Sequence, residues 1–274
     1  MLRFLTLGDL RVSGPQGEVG MTSILTRTCL AALVMSPNRV VSVELLTELL
    51  WDSPPASARE NLRNHMAATR RVLDATEPGL GRRVTTRRSA FGASGGYQLF
   101  VDAGESDAQV FRERFTQARR ELRCGNTERA VHLMGSAHRL WRGDPGGDLT
   151  RTRAMAARIE VLREERLNAT EDYLTARIGI GETTGLVGEL LDLTAGHPLR
   201  ETAVELLMRV LYRSGNVDGA LQAFHRHRRA VDEKLGLDPS PRMADLYLRM
   251  LRREHELAEF PGRTPAPQLA RVPA

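Results

Sequence analysis

The spacing of apolar positions changes character near residue 105. Before that point the pattern is mixed. Leu2–Val12, "LRFLTLGDLRV", alternates at period two and predicts a strand, followed by a Gly/Pro/Gln turn and a second short apolar piece near Val19. Leu25–Arg39, "LTRTCLAALVMSPNR", predicts a helix stopped by Pro37. Ser42 is placed to cap the short helix "VELLTELLW", which ends where Pro54 and Pro55 forbid continuation. In Ser57–Leu73, "SARENLRNHMAATRRVL", Ala58, Leu62, Met66, Thr69 and Leu73 recur at helical spacing and predict a helix with one face on a core. Two β-rich segments, Val84–Arg87 and Tyr97–Val101, then flank a Gly/Ser-rich hairpin.

Strands, three helices and a terminal hairpin are the element order of a winged helix-turn-helix. From Asp107 onward the spacing is helical throughout. "GNTERAVHLM" (Gly125–Met134) is echoed by "GNVDGALQAF" (Gly215–Phe224), with Ala at the same offset after Gly-Asn. Gly closes one helix and Ala lets the next approach closely, the logic of tetratricopeptide-like hairpins, clearest in Leu199–Ser214 with Val217–Leu235. Such hairpins form either a surface for protein partners or a plain helical core. After Glu259 the Pro-rich "FPGRTPAPQLARVPA" predicts a disordered tail. The expected fold is an α+β winged helix-turn-helix over 1–104, an all-α tetratricopeptide-like domain over 105–258, and a tail over 259–274.

Composition narrows the function. At 274 residues and 41% apolar, the chain is long enough for two cores. Its longest apolar run is "CLAALVM", Cys29–Met35, and "MLRFLTLGDLRV" has no basic region leading into a cleavable apolar stretch, which points to a soluble cytoplasmic protein. Cys29 and Cys124 form no CxxC and read as reduced structural thiols. The net charge of +5 matters less than its distribution: residues 1–52 hold four Arg against five acids, and residues 56–90 hold eight Arg against three acids. Lys234 is the only lysine, so the abundance of Arg reflects composition, whereas its clustering does not. Half of the cluster falls on the third helix. Arg59, Arg63 and Arg70 line one shoulder of its apolar stripe, and Asn64, Ala67 and Arg71 lie opposite.

"NRVVSVELLTELLWDSPPASARENLRNHMAATRRVL", followed by "GYQL", resembles the DNA-binding domain of the Streptomyces antibiotic regulatory protein family, whose winged helix is of the OmpR type. "RLWRGDPGGDL", "HPLRE", "LMRVLYRSGNVDGALQAF" and "KLGLDPSP" resemble that family's bacterial transcriptional activation domain, in collinear order. The resemblance implies a sequence-specific activator of a secondary-metabolite gene cluster, binding promoter direct repeats in double-stranded DNA as a head-to-tail homodimer. Its helical domain would contact RNA polymerase through the sigma factor. No membrane, metal, cofactor or catalysis is implied. Arg59, Arg63, Asn64, His65, Arg70 and Arg71 would occupy recognition-helix positions facing bases or phosphates, and Arg87 and Arg88 would serve the wing. Relatives usually carry a basic residue followed by Leu where this chain has Ala68-Thr69, and Arg where it has Gln98. Two DNA-facing cations are therefore expected to be missing, with Arg82, Arg83, Arg87 and Arg88 as replacements. The alternative is a tetratricopeptide-like interaction regulator whose DNA binding is weakened or lost.

Other chemistry is weaker. Gly92–Gly96 matches G-x-S-x-G around Ser94, but a strand follows where a nucleophile elbow needs a helix, so Ser94 belongs to the wing. His225 and His227 do not share a helical face, which favours a solvated surface over a metal site. No GxxxxGK[ST] occurs, although larger members of the family append a nucleotide-binding module; the chain resembles the short, stand-alone form. Trp51 and Trp141 end apolar helices and are expected to pack in cores. Arg112, Arg114, Arg119, Arg120 and Arg123, interleaved with acids, read as a solvated helix face.

Overall fold

The computed structural model describes residues 2–15, 17–88, 95–150, 152–182 and 185–254. Strands β1 (Arg3–Leu5), β2 (Arg11–Gly14) and β3 (Gly17–Glu18) form an antiparallel sheet in that order. The single strand expected over Leu2–Val12 is thus a hairpin, with Phe4 opposite Val12. The chain turns through Gly8, whose φ of 137° disfavours a side chain. Asp107 holds this turn. Its buried carboxylate accepts the Thr6 N–H at 2.8 and 2.9 Å, the Leu7 N–H at 3.0 Å and the Thr6 hydroxyl at 3.1 Å.

Helix α1 (Ile24–Val34) is capped by Ser23 and buries Cys29 through Val34 almost completely, because both sheets and two helices surround it. Strand β4 (Val40–Ser42) runs straight into α2 (Val43–Leu50), where the Ser42 hydroxyl accepts the Leu45 N–H at 3.1 Å as its sequence position suggested. Helix α3 (Ala58–Thr76) buries the stripe read from the sequence and extends it to Thr76. Strands β5 (Val84–Arg87) and β6 (Gly96–Leu99) complete a second antiparallel sheet of order β4-β6-β5. At three residues, β4 is too short to show a period of its own.

Helices α4 (Asp107–Arg123), α5 (Thr127–His138), α6 (Arg153–Gly179), α7 (Leu186–Gly196), α8 (Glu201–Arg213), α9 (Val217–Leu235) and α10 (Pro241–Leu251) follow, and no strand occurs after Leu99 among the described residues. The architecture is a winged helix-turn-helix followed by tetratricopeptide-like helices. By contacts the chain forms two units, one of residues 1–123 with 132–169 and the other of residues 124–131 with those from 170 onward.

The first unit draws on chain well past residue 105. Leu149, Met155 and Ile159 join the core of Phe4, Leu30, Leu46, Met66 and Leu99. Polar hooks fix this strap: the Thr150 and Thr152 hydroxyls each donate to the Leu49 carbonyl at 2.9 Å, and the Arg153 N–H donates to Asp52 Oδ1 at 2.9 Å. Trp141 packs edge-on to Phe111 with ring centroids 5.4 Å apart, and Trp51 packs half-buried against the main core. Arg112 and Arg114 do not simply face water. Arg112 forms a two-pronged pair with Glu165, and Arg114 donates to the Ser136 carbonyl at 2.8 Å.

In the second unit, Gly215 turns α8 into α9 at φ 81°, Asn216 caps α9 through the Gly219 N–H at 2.9 Å, and Ala220 is fully buried. Gly125 and Ala130 repeat the same devices, with φ 79° and complete burial. The solvated surface expected at His225 and His227 is not found. His227 is 2% exposed, with Nδ1 2.8 Å from the Pro198 carbonyl, because α9 turns that side onto the residues before α8. His225 Nε2 lies 3.3 Å from the Tyr247 hydroxyl. Cys29 is buried and Cys124 is exposed, so only the first is a core thiol. Residues 259–274 and Ser94 lie outside the described residues. Among those described, no helix is long and apolar enough to cross a membrane.

Candidate nucleic-acid interface

Burying Leu62, Met66, Thr69 and Leu73 turns the opposite side of α3 outward. Arg59, Arg63, Asn64, Ala67 and Arg71 are all exposed there. Through their side chains Arg59, Arg63, Asn64 and Arg71 make no hydrogen bond or ion pair with another described residue, so their donors face water. Acids are few on this side. Glu60 sits in the first turn, where the helix dipole favours it, and Asp74 is engaged at the far end, accepting the Gly79 and Gly81 N–H groups at 3.1 and 2.8 Å.

Two of the six expected recognition-helix residues have a different setting. Arg70 reaches sideways to the second sheet, donating through Nε to the Val84 carbonyl at 3.0 Å and through Nη2 to the Thr86 hydroxyl at 3.1 Å. Its guanidinium also lies 5.9 Å from the Tyr97 ring centroid. It braces α3 against β5 and β6. His65 is half-buried, with Nδ1 3.2 Å from the Thr26 hydroxyl, tying α3 to α1. Burial holds its imidazole below the usual value of 6.5, so at neutral pH it presents no charge to a phosphate.

The wing carries a similar division. Arg87, on β5, donates through Nε to Gln98 Oε1 at 2.9 Å and lies 5.9 Å from the Phe100 ring centroid, leaving the end of the fork outward. Arg88 is exposed and makes no hydrogen bond or ion pair with a described residue. Arg82 is also exposed, whereas Arg83 is engaged with Glu105 at 2.6 Å and Asp102 at 3.0 Å, which removes it as a replacement cation.

The three departures from the family pattern, Ala68, Thr69 and Gln98, lie at half-buried or interior positions. Thr69 is fully buried, its hydroxyl donating to the His65 carbonyl at 2.9 Å. Gln98, 9% exposed on the central strand, donates to the Asn38 carbonyl at 2.9 Å while accepting from Arg87. An interior amide here orients a cation instead of meeting DNA itself. Ala68 is half-buried.

Asn38 is a positioning residue that the sequence pattern did not single out. At φ 62° it sits in the left-handed region, its Nδ2 donates to the Val101 carbonyl at 2.9 Å, and its Oδ1 accepts the Val101 N–H at 3.0 Å. Its backbone also accepts from Gln98, so the end of α1, strand β6 and Arg87 form one connected chain. The sequence signal was the Pro-Asn pair after α1, which marks a turn and says nothing about what the turn grips.

Residues 106–251 match the family described as "Bacterial transcriptional activator domain", and residues 21–98 match "Transcriptional regulatory protein, C terminal". The chain is 32% identical to the regulatory protein AfsR of Streptomyces griseus over 97% of this chain and 26% of that one. It is 32% identical to the regulatory protein DnrI of Streptomyces peucetius, over 82% of this chain and 83% of that one. It spans about a quarter of the length of the AfsR relatives. The solved structure of Mycobacterium tuberculosis EmbR in complex with a low affinity phosphopeptide is similar with a TM-score of 0.82 at 29% identity, covering 92% of this chain and 65% of that one. With an outward basic face on α3, both family matches and relatives named as regulators along most of its length, the chain belongs to the Streptomyces antibiotic regulatory protein family of transcriptional regulators, pairing an OmpR-type winged helix with a bacterial transcriptional activator domain.

Proposed function

We propose that this chain activates transcription by inserting α3 into the major groove of promoter DNA, with Arg59, Arg63, Asn64 and Arg71 reading bases and phosphates. Arg87 and Arg88 hold the backbone or minor groove from the wing. The observation that carries this reading is the contrast on α3 between Arg70 and His65, tied inward, and four outward side chains with no hydrogen-bond or ion-pair partner among the described residues. A guanidinium matches the paired acceptors of guanine and an amide those of adenine, each pair worth about 1–3 kcal/mol of discrimination. His65 and Arg70 act as positioning residues that set the angle of the helix.

By family resemblance, the target is a pair of direct repeats upstream of secondary-metabolite genes. It is bound by two copies of the chain head to tail, and the helical segment after residue 105 engages RNA polymerase through its sigma factor. The chain works on the nucleoid in the cytoplasm and performs no catalysis. Gln98 is held inside by its own partners, which speaks against reading it as a decayed DNA contact, while the half-buried Ala68 still lacks the cation that relatives carry there.

The test is a gel-shift titration on DNA from upstream of neighbouring genes, at two salt concentrations and with nonspecific competitor. Competitor-resistant binding that weakens steeply with salt is expected. Binding abolished by competitor would overturn the reading.

A further inference from the structure

The second unit holds a groove that the DNA-binding reading does not use. It lies among α7, the turn before α8, α8 and α9, with a volume of about 440 Å³. Leu191, Ala195, Leu207 and Ala223 give it apolar walls. Leu191 is 41% exposed at the lip. The volume lies within the range typical of sites for small organic molecules, roughly 300–1,000 Å³. A helical peptide, about 10–12 Å across with its side chains, is a poor match for so small a space.

The polar groups of the groove fix the charge of an occupant. His227 forms part of the wall. Its Nδ1 faces the Pro198 carbonyl at 2.8 Å, and since a carbonyl can only accept, that nitrogen bears a hydrogen. Its buried Nε2 has no hydrogen-bond partner, and the nearest charged group is Glu201 Oε1 at 3.5 Å, within ion-pair range but too distant for a good hydrogen bond. That carboxylate oxygen already accepts the Ser240 N–H at 2.9 Å. Arg226 lines the same groove, is exposed, and forms no ion pair among the described residues, so it is an unpaired cation beside an apolar surface. Asp192 also lines the groove and counts against a second negative charge on any occupant.

We propose that this groove binds a small amphipathic organic anion. Its apolar body would lie against Leu191, Ala195, Leu207 and Ala223, and its single carboxylate or sulfonate would be held by Arg226. Apolar walls supply the affinity and the arginine supplies the selection, as in small-molecule sites generally. Such a ligand would bridge α7 and α9.

The probe is 1-anilinonaphthalene-8-sulfonate, an aromatic body with one sulfonate, titrated into the full chain and followed by fluorescence, with decanoate and decanol as competitors. One saturable site is expected, with decanoate displacing the probe at least tenfold more effectively than decanol. Arg226→Glu should weaken probe and decanoate at least tenfold while leaving the melting temperature and the DNA gel shift unchanged. Ala195→Trp, at an exposed position on the groove wall, should block the site without disturbing a core. The proposal is overturned by the lack of a saturable site, by equal displacement with decanol, or by unchanged binding in both variants once thermal melts show them folded.

Discussion

Arg70 and Arg71 are adjacent, and the structure gives them opposite settings whose consequences one experiment separates. Removing the Arg71 side chain takes away a free outward cation. If it meets one phosphate, the log–log salt slope of binding should flatten by about 0.9, a change of about 3.5-fold in how far affinity falls between 50 and 200 mM salt. Thermal stability should hardly move. Removing the Arg70 side chain breaks two charge-assisted hydrogen bonds, to Val84 and Thr86, and a contact with Tyr97. Fully buried bonds of that kind are worth about 1.5–3 kcal/mol each, and water competes for a half-exposed side chain, so a total loss of about 1–2 kcal/mol is reasonable. At about 2–4 °C per kcal/mol for a unit of this size, Arg70→Ala should lower the melting temperature by about 2–8 °C. Its affinity should fall with the salt slope unchanged. Arg70→Lys keeps the charge but not the fork and should melt early as well. Differential scanning calorimetry and gel shifts at two salt concentrations read both quantities. A stable Arg70→Ala that loses one counterion from its slope would refute the brace and make Arg70 a DNA contact.

Other consequences are simpler to read. Leu149→Ala, a strap residue 3% exposed in the core of the DNA-binding unit, should destabilise that unit by about 2–5 kcal/mol in a denaturant titration; a cost below 1 kcal/mol would mean the strap is dispensable. His65 has a folded pKa held below its ordinary 6.5 by burial, so on acidification the unfolded chain takes up the proton first. Its contribution to stability should therefore be complete above that value and fall away as pH drops through 6.5 toward the folded pKa, a loss that His65→Asn should abolish in pH-dependent melts. With an aromatic disulfide reagent, Cys124 should react at once in the folded chain. Cys29, whose thiol is pushed up to about 12 by burial, should react only after unfolding, and rapid labelling of both would contradict the packing around α1.

Much of the recognition helix was legible because burial on one face leaves a period that any sequence shows. Ala58, Leu62, Met66, Thr69 and Leu73 fixed which side points outward, and the Ser42 cap fixed where the preceding helix starts. Periodicity could not rank the outward residues. Arg70 and Arg71 differ by one step of the helix, and which of them meets a strand depends on where β5 crosses, information held by Val84 and Thr86 rather than by the helix. The same limit applies to Gln98. A missing cation looks like a lost contact until its partners, Asn38 and Arg87, show the side chain to be interior. His227 was missed for a parallel reason: spacing places it on α9, and only the Pro198 turn makes that side an interior one.

The boundary near residue 105 shows how a change of pattern and a change of fold can part company. Hydrophobic period does switch there, from mixed to helical. Yet Asp107, the first residue of α4, satisfies the backbone of the opening turn, and Thr150, Thr152 and Arg153 fasten to Leu49 and Asp52 at the end of α2. Those anchor points lie on the helix and turn that lead into α3, so chain from the activator segment helps set the recognition helix in place. Cutting the chain at residue 104 would remove Asp107, Leu149 and Met155 together and leave the Thr6 and Leu7 donors without their acceptor. Each unsatisfied buried donor costs about 1–3 kcal/mol, and the vacated core adds to that. Against a total stability of about 5–15 kcal/mol, the winged helix alone is expected to fold poorly, while a chain ending at residue 169 should fold.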